Sequence, residues 1–139
     1  MSYDLMVFDV KTAPKGRKEF LEWHGRLTEW EEDHSYENPE VTTPELRSWF
    51  MEIIQTFPPM NGPLSRIDLL DADDSSVTDY SFGRTALWAA FAWSKFEQAY
   101  ETVFQLSGKH GVGFYDASSD DGKVWLPTVK GTLMLAHSD

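Results

Sequence analysis

Two segments, Tyr3 to Asp9 and Thr85 to Ala92, carry large apolar side chains at odd and even positions alike. Successive side chains of a strand point to opposite faces, so such segments need cover above and below and belong in the middle of a sheet. Tyr3, Leu5 and Val7 take one face of the first segment, and Met6 and Phe8 take the other. Leu87, Trp88 and Phe91 give the second the same two-faced character. Any fold of this chain has to place both segments centrally and supply apolar surface on each side.

Helices are the available cover. Phe20, Trp23, Leu27 and Trp30 recur at helical spacing, which predicts a first helix over about Lys15 to Glu31. A second helix starts where Thr43 can cap, Pro44 suits the first helical position and Glu45 favours the positive end of the dipole. Its stripe is Leu46, Trp49, Phe50, Ile53, Ile54 and Phe57, and Pro58-Pro59 stops it. Ser94-Lys95-Phe96-Glu97 has the form of a capping box opening a third helix, with Phe96, Tyr100, Val103, Phe104 and Leu106 on its buried side. That helix runs to Lys109 and His110, which suit the negative end of the dipole, before Gly111.

Between these helices, residues 58 to 76 read as a long loop anchored by Leu64, Ile67, Leu69 and Leu70. Val77 to Phe82 reads as a strand, joined to Thr85–Ala92 by a two-residue Gly83-Arg84 turn in which glycine would supply a positive φ. Val112 to Asp116 and a short Val124 to Leu126 follow as strands, with residues 127 to 139 as a tail. With one helix set aside, the order is βαββαβ, the pattern of a ferredoxin-like two-layer sandwich of the α+β class, whose first and third strands are central. The expectation is a single domain over residues 1–139 with an extra helix after the first and a short fifth strand; 139 residues suffice for one core. The second sheet face then needs cover from the extra helix, from the long loop, from a second copy of the chain in a homodimer, or from another protein.

Charge narrows the functional classes. With 12 basic and 23 acidic residues the chain carries −11, the wrong sign for nucleic acid or an anionic membrane. The absence of cysteine removes disulfides, thiolate metal sites and thiol catalysis. The first residues lack the basic and apolar stretches of a secretory signal, and the longest apolar run, Ala86 to Trp93, falls far short of the roughly 20 residues that span a bilayer. A cytoplasmic chain is expected, with no cofactor.

The acids are concentrated. From Arg26 to Arg47 there are seven acids and no intervening Lys or Arg. This segment supplies Glu31, Glu32, Asp33, Tyr36 and Glu37 as candidate partner-binding residues, and a second run adds Asp71, Asp73 and Asp74. Asp71-Ala72-Asp73 begins like a calcium loop, but Ser76 stands where glycine is needed and Phe82 where the bidentate Glu belongs, so no metal site is assigned. No histidine pair has zinc-helix spacing, Gly111-Val112-Gly113 lacks the third glycine of a dinucleotide fingerprint, and Ser118 and Ser119 have no nucleophile elbow. No catalytic residues are assigned. A solvated helix end and loop is the simpler explanation of the acids, because charge blocks are usually solvated.

The start Met1-Ser2-Tyr3-Asp4-Leu5, the stretch from Val41 to Pro58 (VTTPELRSWFMEIIQTFP) and Lys109-His110-Gly111-Val112-Gly113-Phe114 resemble a group of small acidic bacterial proteins of unassigned function. The likeness runs over most of the chain and carries no catalytic residue across. Small acidic bacterial proteins of this kind include immunity proteins that neutralise antibacterial toxins. The resemblance therefore implies an immunity-type inhibitor whose acidic surface meets a basic toxin. The alternatives are a small enzyme with an aromatic-lined pocket using His24 or His34, or a protein of housekeeping function.

Overall fold

In the computed structural model, which describes residues 2–65 and 75–139, the chain is mixed α+β: an open six-stranded antiparallel sheet and three α-helices. The strands are β1 (Ser2–Phe8), β2 (Asp79–Phe82), β3 (Ala86–Ala92), β4 (Gly113–Tyr115), β5 (Val124–Pro127) and β6 (Leu133–His137). They lie in the order β2-β3-β1-β4-β5-β6, so the two segments that are apolar on both faces are interior strands, as their patterning requires.

The helices are α1 (Arg17–Leu27), α2 (Pro44–Ile53) and α3 (Phe96–His110). α2 and α3 share one sheet face. Trp49, Phe50, Ile53 and Phe57 are buried there with Leu5, Val7, Leu87, Phe91 and Val103. Glu52 of α2 ties the two helices together, accepting from Lys109 Nζ at 3.0 Å and facing His110 Nε2 at 2.9 Å. α1 lies on the opposite face, where Phe20 and Trp23 pack with Met6, Phe8, Tyr115 and Val124. α1 is thus the helix that stands apart from the other two, and it supplies part of the cover that the second face demanded. No helix among the described residues is long and apolar enough to cross a membrane.

Several local expectations need correction. α1 stops at Leu27, and Trp30 lies beyond it with φ of 54°, a left-handed conformation that a non-glycine residue adopts only at some cost. The first hairpin has three residues between its strands, Gly83 to Thr85, closed by Gly83 N–H donating to the Ala86 carbonyl at 2.8 Å, and Gly83 takes no positive φ. At the other end of α3 Gly111 does take one, 70°, which lets its N–H turn back to the Ser107 carbonyl. The segment read as a tail contains β6, paired along β5. Of the proposed loop anchors, Leu64 is more than one-third exposed, and Ile67, Leu69 and Leu70 lie outside the described residues.

The caps divide. Thr43 Oγ1 accepts from Leu46 N–H at 3.3 Å and Pro44 occupies the first turn, as expected. Ser94 makes no such bond: a 3-10 turn over Trp93–Lys95 leads into α3 without a side-chain cap, and Phe96 is exposed. Thr43→Ala is therefore expected to lower stability by about 1 kcal/mol, whereas Ser94→Ala should change it by less than about 0.5 kcal/mol. Urea denaturation midpoints of the two variants check the contrast.

Candidate functional site

The acidic segment after α1 does not hang free in solvent. Arg84, at the tip of the β2–β3 hairpin, pairs with the Asp33 carboxylate, and its backbone N–H donates to Glu32 Oε1 at 3.0 Å. The Tyr36 hydroxyl accepts from Glu32 N–H at 2.9 Å, and the Tyr36 carbonyl accepts from Phe82 N–H at 2.8 Å. The hydrogen bond and charge of Arg84 hold the Asp33 carboxyl below its ordinary range. One arginine thus stitches the chain between α1 and α2 to the edge of the sheet.

The expected contact residues accordingly separate into two kinds. Glu32 and Asp33 are engaged by Arg84, and Tyr36 is half-buried against the rings of Trp30 and His34. Glu31 is exposed with no ion pair among the described residues, and Glu37 is exposed, accepting only from Asn61 Nδ2 at 3.0 Å. Glu29 and Glu40 of the same segment are likewise exposed, and neither carboxylate makes an ion pair among the described residues, although Arg47 donates to the Glu40 backbone carbonyl at 3.5 Å. Asp71, Asp73 and Asp74 lie outside the described residues.

The two histidines fare differently. His34 is almost enclosed, with Nε2 2.5 Å from Glu32 Oε1 and Nδ1 3.1 Å from the Ser35 carbonyl. Both ring nitrogens are occupied, so the imidazole fixes the loop and offers no free nitrogen to a substrate. His24 stands on α1 with its ring 4.9 Å from that of Tyr115, and burial holds its pKa below the ordinary imidazole value.

His24 belongs to a cleft of about 360 Å³ that opens where α1 ceases to cover the sheet. The antiparallel register sets its floor. Asp4 of β1 and Asp79 of β2 are both directly opposite Ala90 of β3, and all three side chains point to the α1 side. The two aspartates therefore flank a methyl group, with their backbones about 10 Å apart across two strand spacings. In the next row Trp88 rises from β3, and Trp30 closes over it with ring centroids 4.7 Å apart. Trp30 is 43% exposed, and its contacts with Trp88 and Tyr36 hold its left-handed backbone in place.

Sequence reading passed over Asp4, Asp79, Trp30, Trp88 and Ala90 as site residues. The available signal was a lone acid on each of two predicted strands, but the pairing register that aligns them is a long-range property. Among the described residues no group of three or more His, Asp or Glu side chains could hold a metal ion. No known protein family, curated protein or solved structure matches the chain.

Proposed function

We propose that this chain is a cytoplasmic binding domain for a protein with a basic surface, and in its most specific form an immunity-type inhibitor that neutralises a basic toxin. We further propose that its scaffold is a ferredoxin-like βαββαβ unit with two additions, α1 and the β5–β6 pair. The order β2-β3-β1-β4, with α2 and α3 together on one face, supports the scaffold reading.

One observation carries the functional reading. Glu29, Glu31, Glu37 and Glu40 line a segment that the Arg84 contacts hold against the fold, yet none of the four carboxylates makes an ion pair among the described residues. An ordered row of uncompensated charge suits electrostatic recognition, because it raises encounter rates without needing to be rebuilt on binding. The occupied nitrogens of His34 count against catalysis by that residue.

The test starts with capture of a basic protein from the source cell by the immobilised chain, followed by identification and purification of that protein. Association of the purified pair is then followed by surface plasmon resonance over a range of ionic strength. Glu31→Lys/Glu37→Lys is expected to associate about tenfold more slowly at low salt, with a flatter salt dependence and an unchanged melting midpoint. An association rate equal to wild type at low ionic strength would overturn the reading.

A further inference from the structure

The cleft beside α1 has a composition that the acidic segment lacks. Its floor carries two carboxylates with no basic partner. Asp79 is only part-exposed and makes no ion pair or side-chain hydrogen bond among the described residues, and the Asp4 carboxylate accepts among them only from the Ser2 hydroxyl, at 2.6 Å. His24, the remaining titratable group on the wall, has its pKa lowered by burial, which favours the neutral ring. The cleft is therefore net negative, and its other prominent surface is aromatic, from Trp88 and the exposed Trp30. Carboxylate beside indole is the pairing that receives an organic cation. The acid neutralises charge, and the ring face attracts the same cation through its quadrupole.

We infer that this cleft receives an arginine side chain of the basic partner, its guanidinium meeting the Asp4 and Asp79 carboxylates over Ala90 while its planar face and methylenes lie against the Trp30–Trp88 pair. The guanidinium is favoured over an ammonium because it is planar, stacks on aromatic rings and sheds water more readily. Charge complementarity and the indole walls select the occupant. The inference rests on the basic-partner reading and names the group that anchors it, where a few desolvated contacts would carry most of the affinity.

N-acetylarginine amide and its neutral isostere N-acetylcitrulline amide are the probes, titrated against the full chain while the Trp indole N–H signals are followed by 1H–15N NMR. The arginine probe is expected to shift the Trp88 and Trp30 signals saturably with a dissociation constant in the millimolar range, and the citrulline probe to leave them unmoved. Asp79→Asn should weaken the arginine probe about tenfold, and Ala90→Leu, which fills the floor from a part-exposed site, should abolish its binding. With the purified partner, Ala90→Leu should raise the dissociation rate, in contrast to the association-rate effect of the acidic-loop variants. Equal responses to the two probes, or no response to either, would overturn the inference. So would partner dissociation that Ala90→Leu leaves unchanged, even with the acidic-loop result intact. Conversely, binding of the arginine probe by a chain whose purified partner ignores the loop reversals would sustain the cleft and sink the proposed role of the acidic segment.

Discussion

Trp49→Ala is expected to lower the stability of the protein by about 3–5 kcal/mol, the range for truncating a large buried aromatic. Trp49 is 1% exposed and sits in the stripe of α2 that faces β1, β3 and α3. Its neighbours in the stripe, Phe50, Ile53 and Phe57, are equally enclosed, and Phe50 and Phe57 meet Tyr80 and Phe91 edge-on at 5.1 and 5.0 Å. Side chains so constrained cannot collapse into the space an indole leaves, so most of the cavity would persist. The Trp49 indole N–H has no acceptor among the described residues, so the loss is expected to come mainly from packing. Trp49→Phe, which keeps a ring and removes an orphaned donor, should recover more than half of the loss. Melting and urea curves of the two variants decide the matter, with a drop of about 10–20 °C expected for the alanine form. A loss below about 0.5 kcal/mol would mean that this face of α2 is not core.

The contrast between α2 and α1 shows which parts of the structure were legible in the sequence. α2 announced itself through signals that act within a few residues, the Thr43 cap, Pro44 and the apolar stripe, although it ends at Ile53 and a turn, not the Pro58-Pro59 pair, closes it. α1 has the same periodicity as far as Leu27, but Trp30 continues the pattern in sequence while its backbone leaves the helix to reach Trp88. Tertiary contact overrides local periodicity there. β6 was missed for the opposite reason. Its residues run exposed or part-exposed without alternation, so no buried face marks it as a strand, and only pairing with β5 defines it. Ser94 had the right spacing for a cap, yet the chain enters α3 through a 3-10 turn that leaves its hydroxyl unused.

The candidate site follows the same division. The acidic character of residues 29 to 40 is a compositional fact, visible at once. Which of those acids are spent on Arg84 depends on where a hairpin tip lands, and the sequence does not encode that locally. The cleft was hidden further still, because Asp4 and Asp79 become neighbours only through Ala90 on a strand between them. A one-residue slip of β3 would send Trp88 and Ala90 to the other face and erase the site.

Gly113→Ala tests the register that holds this arrangement from the opposite side of β1. Gly113 is paired directly with Phe8, and both project toward α1. A Cβ at Gly113 would enter the Phe8 ring: of the three ring carbons it meets, even the farthest, Cε1, would be 2.7 Å away. Phe8 is fully buried, with the Phe20 and Trp23 rings edge-on at 5.2 and 5.9 Å, so the ring has no free direction in which to retreat. Overpacking of this kind should cost about 3 kcal/mol, at the upper end of its usual range. The cause is separable from any general intolerance of β4. Phe8→Leu alone opens a cavity and destabilises, but combined with Gly113→Ala it makes room for the new methyl group. The double variant should therefore be less destabilised than the sum of the singles by at least about 1 kcal/mol. Strict additivity of the two losses in urea denaturation would show that the Gly113–Phe8 contact does not set the spacing of β1 and β4. Positive coupling would place the requirement for glycine in the approach of this one ring, and would make the α1 face as tightly specified as the α2–α3 core.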